Sequence, residues 1–290
     1  MPIDPIAALA AEPTSREVRW TSRDVLLYHL SLGAGRHAAT GPELGYTYER
    51  DLRVLPTFAM VAGQGPSAGD GPAPGLSLPG IDVDLRRLLH AGQELAVHRP
   101  IPPAGTAVVT SRVAELWDKG KAALIVQEQR ATGADGDPLW TTTTRIWARG
   151  EGGFGGDPGP ASPQPAPDRP ADLVLDTPTT ADQALLYRLN GDLNPLHVDP
   201  EFAAAAGFDR PILHGLASYG LVAKAVVDGA LDGDVTRLAG LSVRFARPVL
   251  PGGTIRTSLW WQDPGLALVA TCPEQDDAPV LTHATATIRP

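Results

Sequence analysis

Between Tyr187 and His197 the chain reads Tyr-Arg-Leu-Asn-Gly-Asp-Leu-Asn-Pro-Leu-His, a mixture that suits neither a helix nor a strand. Gly191, Asp192, Asn194 and Pro195 crowd together between an apolar stretch and a helix start, which is the composition of a structured turn. Pro195 restricts Asn194 to extended conformations, so the turn can present Asp192, Asn194 and His197 toward one small volume. A carboxylate and an imidazole that share one water can divide the work of taking and returning a proton, because their protonation states differ. The amide of Asn194 adds a hydrogen-bonding assistant. The same residues also have an ordinary structural explanation, in which Asp192 makes a turn hydrogen bond, Asn194 caps the loop and His197 packs on the next helix.

A second motif bears on that choice. Arg210-Pro-Ile-Leu-His-Gly-Leu216 leads into an apolar helix, whose free first-turn N–H groups and positive dipole end can polarise a carbonyl oxygen. Gly215 leaves its own N–H open to close approach, as an oxyanion donor for the enolate formed when water attacks an α,β-unsaturated thioester would require. A divalent metal on Asp192, His197, Asp199 and His214 is the competing use of these atoms, but no His-x-x-x-His or Cys-x-x-Cys pairing fixes its geometry. An EF-hand loop fails because Leu196 stands where an oxygen ligand should fall. The cluster Gly152-Gly-Phe-Gly-Gly156 is not a phosphate loop, since no Lys-Ser or Lys-Thr follows, and reads as flexible or tightly packed chain. Cys272 has no base beside it in sequence and reads as a buried structural thiol.

The elements that must hold these residues repeat. Leu26-Leu27-Tyr28-His29-Leu30 echoes Leu185-Leu186-Tyr187-Arg188-Leu189, and Arg99-Pro-Ile-Pro-Pro-Ala-Gly-Thr106 echoes Arg247-Pro-Val-Leu-Pro-Gly-Gly-Thr254, in the same order. After each Gly-Thr comes β-rich sequence: 107–117 and 122–129 in one half, 255–261 and 266–272 in the other. The spacing of apolar residues predicts a long buried helix from about Pro211 to Leu231, and Asp199-Pro200 starts a shorter one that stops near Gly207. One buried helix followed by antiparallel strands is an α+β pattern, satisfied by a sheet wrapped around a helix. Gly, Pro, Ala and Ser dominate 150–172, so that stretch is expected to link a first half, 1–149, to a second, 173–290.

Taken together, Gly191-Asp-Leu-Asn-Pro-Leu-His197, Ile212-Leu-His-Gly-Leu216 and Arg244-Phe-Ala-Arg-Pro-Val-Leu-Pro-Gly252 resemble the signature of the MaoC-like, or type 2, enoyl-CoA hydratases. The first half joins in: Leu55-Pro-Thr-Phe58, Leu89-His90, Trp117-Asp-Lys-Gly120 and Gly152–Gly156 are similar to the hydratase unit of the peroxisomal multifunctional enzyme type 2. The resemblance implies a double hot-dog fold, in which each half wraps an antiparallel sheet around one long helix, with an acyl-CoA substrate and neither cofactor nor metal. It implies (R)-specific hydration of trans-2-enoyl-CoA by an Asp192 and His197 dyad, with Asn194 orienting substrate and water and Gly215 binding the thioester oxygen. It places further acyl-CoA contacts on His90, Ala91, Lys119, Leu193, Pro195, Leu196 and Phe245. Ala91 replaces a usual Gly, and Asn190 a usual Ser-like residue.

With Tyr28 aligned on Tyr187, Gly33, Gly35 and Ala38 stand in the places of Asp192, Asn194 and His197, with His37 one step away. The first half has therefore lost its dyad, and is expected to hold the acyl or CoA portion, one site being formed per chain. A hot-dog thioesterase and a non-catalytic acyl-CoA-binding protein are the rival functions.

Composition bounds the rest. At 290 residues and 43% hydrophobic, the chain can bury a large core without disulfides or metals. Its formal charge of -9 opposes a phosphate-tracking nucleic-acid surface. A single cysteine, no leader-like start, no Ser-Lys-Leu type of ending and no run of membrane-spanning length point to a cytoplasmic protein. A homodimer is expected.

Overall fold

The computed structural model describes residues 2–36, 43–68, 79–84, 87–161 and 165–290. The strands are β1 (Thr14–Trp20), β2 (Leu88–Val97), β3 (Gly105–Asp118), β4 (Ala122–Gly133), β5 (Pro138–Arg149), β6 (Leu173–Pro178), β7 (Leu238–Phe245), β8 (Thr254–Gln262), β9 (Gly265–Cys272) and β10 (Ala278–Ile288). In β8, Ile255, Thr257 and Leu259 are buried while Thr254, Arg256 and Ser258 are only partly so, the two-residue period of a half-buried strand. The four expected β-rich runs all lie inside β3, β4, β8 and β9.

These strands form one ten-stranded antiparallel sheet in the order β1-β3-β4-β5-β2-β7-β10-β9-β8-β6. The order is palindromic: each strand of the first half has its counterpart at the mirrored place in the second. The two halves meet where β2 pairs with β7, with Gly92 opposite Arg244 and Leu95 opposite Leu241. This is the double hot-dog arrangement, and one hydrophobic cluster of buried residues from Val18 to Ala286 runs through both halves.

The helices are α1 (Pro5–Ala10), α2 (Ser22–Ser31), α3 (Leu44–Thr47), α4 (Gln183–Tyr187), α5 (Pro200–Ala205) and α6 (Gly215–Ala230). Most of α6 is buried, including Leu221, Val222, Val226 and Val227, each burial contributing roughly 1.5–3 kcal/mol. The helix starts later than its apolar pattern predicts. Leu213 N–H donates to Val249 O and Ile212 O accepts from His197, so the residues before Gly215 are held extended. Asp199 caps α5 as expected, its carboxylate accepting from Glu201 and Phe202 N–H.

Helical content differs between the halves. Among the described residues, the place of α6 in the first half is taken by a short 3-10 helix, Pro56–Met60, so the sheet is wrapped around one long helix. The repeated Leu-Leu-Tyr segments form α2 and α4, with the Tyr28 and Tyr187 rings 6.3 Å apart. Asn190, the departure noted above, donates to Ser31 Oγ and to Tyr187 O, tying the second half's loop to the first half.

Candidate active site

The loop after α4 turns at Gly191, whose φ of +115° belongs to the left-handed region. A Cβ there would lie 2.5 Å from Gln64 O, so glycine is required for shape as well as for angle. The reversal aims the next residues back over the start of α6. Asn194 N–H donates to Asp192 Oδ1 (3.2 Å), and Leu196 N–H donates to Asn194 Oδ1 (3.0 Å). Pro195–His197 then forms one 3-10 turn, delivering the His197 ring into the protein while Asp192, Leu193, Asn194 and Pro195 stay exposed and Leu196 is half-buried.

His197 Nδ1 donates to Ile212 O at 2.8 Å, which leaves Nε2 as the lone-pair nitrogen of a neutral ring. Burial lowers its pKa, so that neutral form is favoured. One carboxylate oxygen of Asp192, one ring nitrogen of His197 and one of His214 lie within 4.8 Å of one another. This group of three could also hold a cation, whereas Asp199, the fourth member of the metal alternative, is occupied as a helix cap.

His214 stacks on His197, the ring centroids 3.7 Å apart. Its Nε2 donates to the backbone carbonyl of Asp192 at 3.2 Å. Desolvation first, then the neighbouring His197, hold His214 down at about 4. In the sequence His214 stands out only as a metal ligand; its bond to Asp192 joins residues 22 apart, and no local pattern signals that bond or the stack on His197.

Gly215 is the first residue of α6, so its N–H has no intrahelical partner. A Cβ there would meet the Phe245 ring at 3.3 Å. Phe245 in turn touches the His90 ring at 4.6 Å. Desolvation holds His90 at about 4 against the opposing pull of Asp192, which places His90 within electrostatic reach of the carboxylate. Asp192, Asn194, His197, Gly215, Phe245 and His90 are thus brought together, along the seam of the two halves.

Ala91 and Lys119 lie in a different place. They line a cavity of about 480 Å³ beside Trp117, Trp147, Arg145 and Arg244, a size suited to a small-molecule site. Lys119 donates to Pro158 O and lies over the Trp117 ring. The chain after β5 forms one wall. Asp118 accepts N–H bonds from Gly120, Gly153 and Gly155, which binds down the glycine cluster whose role sequence left between flexibility and packing. Cys272 is buried, and burial raises its thiol pKa.

Comparison with known proteins gives the family. Residues 162–267 match the MaoC like domain family, and residues 19–150 match the MFE-2 hydratase 2 N-terminal domain family. The chain is 48% identical over 282 residues to "Enoyl-CoA hydratase ChsH3" of Mycobacterium tuberculosis, covering 97% of this chain and 98% of that relative. The chain belongs to the MaoC-like type 2 hydratase family. A solved MaoC-like dehydratase from Phytophthora capsici superposes with a TM-score of 0.87 at 29% identity, covering 99% of each chain. A conserved hypothetical protein from Mycobacterium tuberculosis, described as having a double hotdog fold, superposes with a TM-score of 0.57 at 14% identity over 96% of each chain, and supports the fold alone. For this MaoC-like protein, no helix among the described residues is long and apolar enough to cross a membrane.

Proposed function

We propose that this protein is a hydro-lyase that adds water to a trans-2-enoyl-CoA to give the (3R)-3-hydroxyacyl-CoA, or runs the reverse dehydration, in fatty-acid or sterol side-chain metabolism. The observation that carries the reading is the junction of Asp192, a neutral His197 and the open Gly215 N–H in a chain with enoyl-CoA hydratase relatives across its whole length. Water sits between the carboxylate and Nε2. The dyad removes one proton as oxygen attacks C3, and one proton is returned to C2 on the same face, giving net syn addition. The Gly215 N–H, at the positive end of α6, stabilises the enolate oxygen. Asn194 holds the loop and orients substrate and water, and Leu193, Pro195, Leu196, His90 and Phe245 border the acyl thioester. Ala91 and Lys119 serve the CoA portion.

In this reading residues 1–149 are a non-catalytic half that holds acyl-CoA, 150–172 connects the halves and 173–290 supplies the dyad. His37 and Ala38 lie outside the described residues. His29, near them in sequence, is engaged in the core: Nδ1 donates to Tyr46 O and Nε2 accepts from Leu55 N–H. A homodimer in the cytoplasm completes the proposal; the buried free thiol of Cys272 is compatible with a reducing compartment, and light scattering tests the dimer.

The deciding experiment follows loss of enoyl absorbance across a series of trans-2-enoyl-CoA chain lengths, with chiral analysis of the product. The expected result is (3R) product that Asp192→Asn reduces by about 100-fold or more, the usual range for a lost acid or base. A fully active, folded Asp192→Asn would overturn the mechanism. Thiol release from saturated acyl-CoA without hydration would indicate the thioesterase.

A further inference from the structure

The repeat relates the two ends of the seam between β2 and β7. Gly92 is opposite Arg244, and the relation between the halves carries that pair onto Gly240 opposite Ala96. The same relation carries Leu89 and Trp147, opposite one another in β2 and β5, onto Arg237 and Arg289, joined where Arg289 N–H donates to Arg237 O. Trp147 walls the cavity beside Lys119. Arg237 and Arg289 wall a second cavity, of about 400 Å³, where β2 ends and β7 begins.

Charge in this second cavity is unbalanced. His98, Arg99, Arg237 and Arg289 line it together with one acidic side chain, Asp234. Arg99 is neutralised by Asp135, which accepts two of its N–H bonds. Arg289 donates to Thr236 O and Val97 O, so its charge meets carbonyls and, among the described residues, no carboxylate. The half-buried Arg237 side chain makes neither a hydrogen bond nor an ion pair among the described residues, and its Nε is buried without a partner. Asp234 is within electrostatic reach of Arg237, but its Oδ1 already accepts from the N–H and the hydroxyl of Thr236. Two guanidinium groups thus share one engaged carboxylate, an unfavourable arrangement that an added anion relieves.

Its place and its walls narrow the ligand. β7 runs from Leu238 to Phe245, and at about 3.3 Å per residue it sets Arg237 on the order of 25 Å from Phe245. A molecule held here does not overlap a thioester over Gly215. Among the described residues, no Trp, Tyr or Phe lines this cavity, whereas Trp117 and Trp147 line the other, so nothing here stacks a nucleotide base. The guanidinium fork matches pairs of phosphate oxygens, and His98, whose Nε2 is engaged with Thr141, has a second ring nitrogen for one more hydrogen bond.

We infer that Arg237, Arg289 and His98 form a second binding site, for a small phosphate-bearing anion without an aromatic base, separate from the site of the thioester. This goes beyond the hydratase reading and does not rest on it, because the cavity and its charges are the same whatever reaction the dyad performs. Arg289 is fixed by its two carbonyl bonds and gives the site a preset cation, while Arg237 supplies the guanidinium still free to bond.

The test is titration calorimetry of the full chain with inorganic pyrophosphate, in an excess of CoA so that the cavity beside Lys119 is occupied. Arg237→Gln removes the charge of a side chain that makes no bond within the fold, Arg237→Lys keeps the charge without the fork, and Lys119→Gln is the control; melting temperatures check that all three are folded. Binding is expected in wild type and in Lys119→Gln, and is expected to weaken about tenfold in Arg237→Gln, the scale of one charged hydrogen bond, with Arg237→Lys in between. ADP is expected to bind no more tightly than pyrophosphate, and malonate more weakly. No binding to wild type, or equal binding to wild type and Arg237→Gln, overturns the inference. Much tighter binding of ADP overturns the exclusion of an aromatic base, and equally tight binding of malonate overturns the assignment to phosphate.

Discussion

The imidazoles of His197 and His214 lie face to face, their planes 27° apart, and His214 Nε2 donates to the main chain of Asp192. One ring therefore supports both members of the proposed dyad. His214 Nδ1 is buried without a hydrogen-bond partner among the described residues, a cost that an apolar ring would not carry. His214→Phe keeps the stack and loses the donor; His214→Gln keeps a donor and loses the stack. If the N–H positions Asp192, the Phe variant loses about tenfold in kcat/KM, the scale of one hydrogen bond, with little change in melting temperature. Equal activity of the Phe variant and wild type would remove His214 from the positioning role.

Three histidines make stability depend on mild acid. Desolvation holds His29, His90 and His214 at about 4, below the ordinary 6.5. The unfolded chain thus binds more protons than the folded chain between those values. Stability is fully present above about 6.5 and is lost as pH falls toward 4, by up to about 1.4 kcal/mol per pH unit for each group. Chemical denaturation between pH 7 and 5 should show the midpoint falling with pH. A midpoint that holds or rises over that window would contradict these depressed values. Because burial also lowers His197, the acid limb of kcat/KM should fall below the ordinary imidazole range.

Gly191→Ala isolates loop geometry from dyad chemistry. The substitution places a methyl group 2.5 Å from Gln64 O at φ +115°, so the loop or residue 64 must move. A left-handed non-glycine costs about 1–3 kcal/mol, and the displaced Asp192 should cost catalysis at least tenfold, as misplacement near a reacting group does. Urea unfolding and steady-state kinetics measure the two effects. Wild-type values for both would show that the turn can be built without glycine.

Which of these features could be read beforehand follows from how local they are. The turn at Gly191 and the cap at Asp199 depend on neighbours within a few residues, and their composition is visible in the chain. The internal repeat anticipated the palindromic sheet, because copied segments build copied strands. The apolar pattern begins α6 too early, since Ile212 and Leu213 have helical periodicity but are held extended by His197 and Val249. The short Pro56–Met60 helix opposite α6 was also not legible, as the repeat does not extend through that stretch. The stack of His214 on His197 and its bond to the Asp192 carbonyl form only when the loop before α6 meets the loop after α4, so no spacing rule gives that role.

The last prediction concerns how α6 is anchored to the first half. Lys224 donates to Glu43 Oε1 at 2.8 Å and to Asp228 Oδ2 at 2.6 Å, with its side chain 12% exposed. Its ammonium lies over the Tyr46 ring, whose hydroxyl donates to Asp228 Oδ1. Lys224→Met retains most of the buried stem but removes the cation from between two carboxylates. Breaking a fully buried pair costs about 3–5 kcal/mol; the carboxylates here are 25% and 33% exposed, and solvent screening reduces the expectation to about 1–3 kcal/mol. Denaturant titration should show an earlier midpoint with an unchanged slope. Lys224→Met with Glu43→Gln should recover part of the loss, because the double change removes an unpaired charge along with its partner on the first half. If the double variant is as unstable as the sum of the single ones, the two residues act independently and the proposed anchor does not exist.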